Sequence, residues 1–430
     1  MTQDLLNFLD SSTCCFTAVR NVRKRLDDAG FKYLDMRDKW PAMHPGEKYY
    51  IIKNHSAIFP FITGSDPAAG YKIIAAHSDS PGFKVKPSPE MVGKGNIVRL
   101  NTEVYGGPIL YTWFDRPLSL AGRVVLRSDN PLEPKTVIID LERPILEIPH
   151  LSIHFNRAVN EGNPLSRQKD MMPVLGFLKD GMEKDGLLLR VVAEHIGCLP
   201  EEILDFDICL YPVEKGSVFG LDNEFISSPR IDDLEMVHCG LTALLDSATS
   251  DEVQPMTRVL AVFDNEETGS GTKQGAASPI LRTLLTRINH CLGADNETFF
   301  RAVASSFMIS ADNGHGLHPN YEEKQDPTNL PILGKGPVIK SNANCKYMTD
   351  ADSAAVFRRI CQKAGVPVQT FVNHSDVAGG STLGNILTSQ LDMRGVDMGC
   401  PQWAMHSCRE TASVADHLYT LRAFTTFYNM

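Results

Sequence analysis

Apolar positions along this chain change their spacing several times, and each change marks an element. Between residues 3 and 29, Leu5, Leu6, Phe8 and Leu9, and then Val19, Val22 and Leu26, recur at helical spacing and predict amphipathic helices. YKIIAA at 71–76 is short, apolar and followed by polar residues, which predicts a buried strand. From about Pro87 to Ser228 the character differs. Strand-like stretches at 97–100, 122–126 and 136–141 alternate with Gly and Pro, and helical segments are expected near 171–180 and 200–204. Beyond Pro229 helix and strand alternate: helix over 234–248, strand 258–263, helix 279–292, strand 306–310, helix 351–364 and strand 367–372.

Such alternation predicts an α/β fold, a mixed sheet flanked by helices, with a β-rich second domain inserted into it. Residues 1–86 and 229–430 are expected to form one domain, interrupted by 87–228. A chain of 430 residues accommodates both. The stretch from about His315 to Lys340 is rich in Pro, Asn and Gly and reads as ordered loop near a site. No repeat or low-complexity tract interrupts the pattern.

Composition narrows the function. With 43% hydrophobic and 22% charged residues the chain is an ordinary globular one. A net charge of −10 with no basic run argues against nucleic acid, so small or peptidic substrates fit better. MTQDLLNFLD lacks the basic start and apolar core of a secretory signal, and no apolar run approaches the length that crosses a bilayer. A cytoplasmic location without membrane contact is therefore expected. The ten cysteines are scattered and include no C-x-x-C pair, so buried reduced thiols are expected rather than a thiolate metal site.

Five segments place metal-competent side chains after an apolar strand or at a helix head: AAHSDSPG, SPRIDDLEM, FDNEETGSG, ISADNGHGLHPN and AMHSCRE. Ligands of open α/β sheets bind at the carboxyl ends of strands, so these residues share a destination. Imidazole and carboxylate without thiolate suit a catalytic zinc site, and two ions need a bridging carboxylate with terminal ligands on either side. Each piece has an ordinary structural reading as well: Asp232 or Asp233 in Ile231-Asp232-Asp233 would serve as a helix cap. The pair Glu266-Glu267 is more telling, because adjacent acids after a buried strand repel one another unless a cation or proton compensates.

At this point the chain resembles the M18 aminopeptidases, the aspartyl aminopeptidase family of zinc peptidases. AAHSDSPGFKVKP, LSIHFNR, SPRIDDL, NEETGSGTKQGA, SADNGHGLHPNY, VIKSNANCKY, GGSTLGN and AMHSCRE carry the resemblance in that order, with Thr268 where the family more often has Val. The resemblance implies two zinc ions per subunit, with Mn2+ or Co2+ as substitutes. His77, Glu267, Asp312 and His406 would be terminal ligands and Asp232 the bridge; if Asp233 faces the metals instead, the bridge moves by one. Glu266 would be the general base, and Asp79 would orient the His77 imidazole. His154 resembles a histidine that reaches a neighbouring subunit's site from the inserted domain, which would then serve dimerisation or oligomerisation. Lys340, near Tyr347, resembles the basic residue of the pocket that receives the substrate side chain.

These resemblances together imply an aminopeptidase that releases N-terminal residues from peptides, prefers Asp or Glu, and assembles as a homo-oligomer, a dodecamer. Two other readings compete with it. A deacylase or carboxypeptidase would use the same metal chemistry with a different substrate clamp, and a self-assembling shell or cargo protein would carry the site as a secondary feature.

Overall fold

The computed structural model describes every residue except Asp251. By contact the chain divides into two units: residues 1–79, 216–405 and 410–430 form the first, and residues 80–215 with 406–409 the second. The seams lie at Ser80 and Gly216, whereas composition changes at 87 and 229. Residues 82–86 already belong to a long strand of the second unit's sheet, and 217–228 form strands that pair within the first unit.

A nine-stranded sheet is the centre of the first unit, in the order Lys32–Tyr33, Lys48–Lys53, Ala57–Ile62, Thr257–Phe263, Tyr71–His77, Phe307–Ala311, Arg394–Gly399, Val338–Lys340 and Gln369–Phe371. It is mixed. Four central strands, from Thr257–Phe263 to Arg394–Gly399, run parallel, and antiparallel pairs flank them. The continuous apolar runs of the central strands follow from burial on both faces. Along Tyr71–His77 the two-residue period sends Ile74 and Ala76 into one core and Ile73 and Ala75 into the other.

Helices cover both faces. Thr2–Ser11, Cys15–Asp28, Ile231–Ser247, Ala351–Ala364 and Val414–Tyr428 contribute to the first core, and Ile280–Cys291, Asn296–Ser305 and Leu383–Leu387 to the second. Ile231–Ser247 is buried nearly all round, because Val414–Tyr428 packs on it opposite the sheet. Gly240 permits that depth: a β-carbon there would come within 2.7 Å of Leu260 Cδ1.

The second unit is a six-stranded antiparallel sheet in the order Lys135–Asp140, Leu118–Leu126, Ile203–Pro212, Gly82–Val92, Ile97–Tyr105 and Val174–Phe177. Neither helix expected in this region forms where composition placed it. The stretch 171–180 holds the edge strand Val174–Phe177, and 200–204 holds one 3-10 turn, Pro200–Glu202, that leads straight into a strand. The helix is Leu187–Ile196 instead, bounded by left-handed Gly186 and Gly197 and packed on the sheet through Leu188, Val192 and Ala193.

None of the ten cysteines is in a disulfide; five are buried, and Cys345 is exposed. Among the described residues no helix is long and apolar enough to cross a membrane.

Candidate metal centre

Three adjacent parallel strands of the first unit end at one edge, and each delivers an acid or an imidazole there. Register sets Phe263 beside His77 and Ser310 beside Ala75, so the residues that follow emerge together. His77 closes its strand, and Asp312 directly follows Phe307–Ala311. Glu266 and Glu267 stand in a single 3-10 turn entered through Asn265, whose φ of 63° is left-handed. Asp232 and Asp233 arrive from the head of Ile231–Ser247, where their backbone is not yet helical and the peptide between them is cis. The residue at the helix N-cap is Arg230, in the left-handed region, and its side chain makes no cap bond.

These residues converge. One ligand atom from each of His77, Asp232, Asp233 and Asp312 lies within 4.8 Å of the others, and the same holds for His77, Glu266 and Glu267. His77 is almost fully buried, with Nδ1 3.0 Å from the Asp79 carbonyl oxygen and 3.4 Å from Asp79 Oδ1. That leaves Nε2 as the outward nitrogen, 3.5 Å from Asp232 Oδ1. The separation is long for a hydrogen bond and close to the distance of about 3.3 Å between two ligand atoms on one tetrahedral zinc.

The Asp79 carboxylate also accepts two backbone N–H groups. Its Oδ1 accepts the Glu266 N–H at 3.1 Å and its Oδ2 the Glu267 N–H at 3.2 Å, so one carboxylate ties the His77 strand end to the Glu-Glu turn. Asp233 has a comparable role, accepting the His77 N–H at 3.0 Å through Oδ2. Its Oδ1 is buried without a hydrogen bond, a costly state that a cation would relieve.

Electrostatics agree with a cationic occupant. Burial pushes the Glu266 carboxyl up to about 8, and the charges of Asp312, Asp79 and Asp232 add to it. Burial also raises Glu267 and Asp233 well above the ordinary carboxyl range, helped by Asp232 in both cases. Burial opposes charge on His77, but Asp233, Asp232 and Asp79 prevail and raise its pKa well above 6.5. Left to itself the cluster therefore holds protons that a divalent cation would displace. Imidazole and carboxylate oxygens without thiolate are a donor set that fits zinc.

Lys340 lies at the end of strand Val338–Lys340 and is buried, at 4% exposure. Its ammonium donates to Asp312 Oδ1 at 3.2 Å and to the Asn313 carbonyl at 2.8 Å, and it sits 5.9 Å from the centre of the buried Tyr347 ring. Asp312 is pressed against the neighbouring strand: a β-carbon on Gly399 would lie 1.9 Å from the Asp312 carbonyl oxygen. We expect Gly399→Ala to displace Asp312 and lower both thermal stability and activity, by 1 kcal/mol or more in stability; calorimetry and a turnover assay check this.

His406 and His154 belong to the second unit. His406 lies in the 406–409 segment, with Nδ1 3.1 Å from the Gly107 carbonyl oxygen. His154 is exposed within a turn-rich stretch, between Ile153 at 48% and Phe155 at 81% exposure. The sequence reading overlooked Glu410, which accepts the Asp232 N–H at 3.0 Å, and Asn313, whose amide bonds several segments. Both stand inside two of the segments named above, SADNGHG and AMHSCRE, but nothing about their residue types marks them.

Comparison with known proteins fits this geometry. Residues 8–428 match the family model described as "Aminopeptidase I zinc metalloprotease (M18)". A probable M18 family aminopeptidase 2 of Clostridium novyi (strain NT) is 49% identical over 99% of this chain and 98% of its own length. Its counterpart in Pseudomonas aeruginosa (strain UCBPP-PA14) is 40% identical over 100% and 98%. Among solved structures, one from a complex of Ape4 and Nbr1 superposes with a TM-score of 0.94 at 35% identity, covering 99% of this chain and 85% of that one. The mApe1 dodecamer of S. cerevisiae gives a TM-score of 0.86 at 25% identity, covering 99% and 96%.

Proposed function

The chain belongs to the M18 family of zinc metallo-aminopeptidases, hydrolases that act on peptides, and from that premise we propose a dinuclear zinc enzyme that prefers N-terminal Asp or Glu. The observation that carries the reading is the convergence of His77, Asp232, Asp233 and Asp312 beside the Glu266-Glu267 turn. Asp232 would be the carboxylate shared by the two ions, since Asp233 already holds the His77 amide while Asp232 Oδ1 lies opposite the outward His77 nitrogen. His77, Glu267, Asp312 and His406 would be the terminal ligands.

Zinc bound by these residues acidifies water and polarises the scissile carbonyl. The other steps fall to the chain itself. Glu266 takes a proton from the attacking water and returns it to the leaving amine, and Asp79 holds the peptide of Glu266 in place for both transfers. The buried carboxylates attract a free α-amino group, which a blocked or internal peptide bond lacks. Lys340 spends two of its three N–H donors on Asp312 Oδ1 and the Asn313 carbonyl, and the third remains for the carboxylate of an acidic substrate side chain.

The test is a panel of aminoacyl reporter substrates after chelation, with zinc, manganese or cobalt returned. Asp and Glu reporters should give the highest kcat/KM, and Lys340→Ala should reduce that preference about tenfold to a hundredfold. If Leu reporters win in the wild type, the acidic preference is wrong and the metallo-aminopeptidase stands. Hydrolysis of N-blocked or acyl substrates in preference to free N-termini would favour the deacylase reading.

We also propose a homo-oligomer, a dodecamer like that of the similar S. cerevisiae protein, with the second unit as the assembly domain. The exposed apolar residues around His154 are a natural contact for another copy. His154→Ala should lower kcat about tenfold or more with metal content unchanged, in protein whose mass by light scattering matches wild type. A stable variant with full turnover would remove His154 from the site.

A further inference from the structure

We propose that Asn313 is a positioning residue that sets the distance between the two arms of the metal centre, Asp312 on one side and Asp232-Asp233 on the other. The inference rests on the metal-site reading above and assigns a role to a residue that is not itself a ligand.

Three segments meet at this side chain. Its Oδ1 accepts the Cys400 N–H at 3.3 Å, from the stretch that continues strand Arg394–Gly399. Its Nδ2 lies 3.2 Å from the Ile231 carbonyl oxygen, one residue before Asp232, and 3.2 Å from Glu235 Oε2, one helical turn beyond it. Gln402 Oε1 is a further acceptor at 3.1 Å. The backbone is held as well, since the Asn313 carbonyl accepts from the Lys340 ammonium that also grips Asp312. Asn313 thus joins the strand end that presents Asp312 to the helix head that presents the two aspartates.

An ordinary buried amide would be satisfied and would bind its nearest neighbours. This one links segments far apart in sequence, and the network around it is left partly unsatisfied: Glu235 Oε1 and Gln402 Nε2 are buried without hydrogen bonds. Asn313, Glu235 and Gln402 are all essentially inaccessible, at 1%, 0% and 1% exposure. An apolar core would serve packing better, because half-satisfied buried polar groups destabilise a fold. What the network supplies is direction: Asn313 adjoins Asp312, and two of its partners, the Ile231 carbonyl and the Glu235 carboxylate, lie within two residues of Asp232 or Asp233. Partners that orient metal ligands in this way commonly change metal affinity or activity about 10–100-fold when lost.

The experiment compares the full-length protein with Asn313→Ala and with Asn313→Asp, which keeps the size and the Cys400 acceptor but loses the two N–H donors. Zinc is titrated against a chelator, Tm is measured with and without zinc, and kcat and KM are measured on a reporter peptide. We expect zinc affinity to fall about 10–100-fold in both variants, the zinc-induced rise in Tm to shrink, and kcat to fall while KM changes by less than about twofold. If zinc affinity stays at the wild-type value while Tm falls equally in metal-free and zinc-loaded protein, Asn313 is merely structural and the proposal is overturned. Should Asn313→Ala fail to fold, Asn313→Asp decides the matter alone. His77→Ala is measured alongside: if it retains zinc, the site reading itself fails, whereas loss of zinc there with undiminished affinity in both Asn313 variants defeats only the present proposal.

Discussion

Glu266→Ala should lower kcat about 10²–10⁴-fold while the protein still binds its full complement of zinc. This follows from the proposed role of Glu266 as the proton carrier. Its amide is held by Asp79, and burial pushes its carboxyl up to about 8. A nearby divalent cation would bring that value down toward neutrality, where a general base works best. Glu266→Gln should behave like Glu266→Ala, since the amide keeps the shape and cannot take the proton. Turnover and elemental analysis on the same preparation are needed: near-normal turnover with zinc in place would exclude Glu266 from proton transfer, and loss of zinc would make it a ligand.

His77→Ala should remove both zinc and activity, and the metal-free wild type should show why through its pH dependence. In metal-free protein the Glu266 carboxyl titrates near 8 against an ordinary 4.5, so its contribution to stability is present below 4.5 and is lost as pH rises through 8. His77 acts with the same sign. Its raised pKa means a contribution that is complete below 6.5 and lost as pH climbs through the higher folded value. The Tm of metal-free protein should therefore fall from pH 4.5 toward 8. Over that range zinc affinity should rise, because each ion displaces fewer protons. A metal-free Tm that climbs across this interval, or His77→Ala protein with wild-type zinc content, would show that these groups do not form the metal site.

The order of apolar and polar residues determined by itself most of the elements that frame the site. YKIIAA, RVLAVF and the run at 306–310 are short, apolar and bounded by polar residues, the pattern of buried strands, and all three form strands. The chemical types of the donors were equally local information. His77, Asp232, Glu266, Glu267 and Asp312 were legible as candidates because a charged group after a buried strand needs a reason to be there. In the second unit the same signals misled, since a lone turn at Pro200–Glu202 and an edge strand at Val174–Phe177 share their residue types with short helices.

Only the tertiary structure decided which partners those donors have. Asp232 and Asp233 are adjacent and chemically identical, and what distinguishes them is a hydrogen bond to His77, a residue distant in sequence. Lys340 looked like a loop residue until pairing of its strand with Arg394–Gly399 carried it into the core beside Asp312. Asp79 and Asn313 bind backbone groups of segments that the chain order separates widely. Periodicity reports which face of an element is buried, but the partner of a buried polar atom depends on sheet register, and register is set by the packing of the whole sheet.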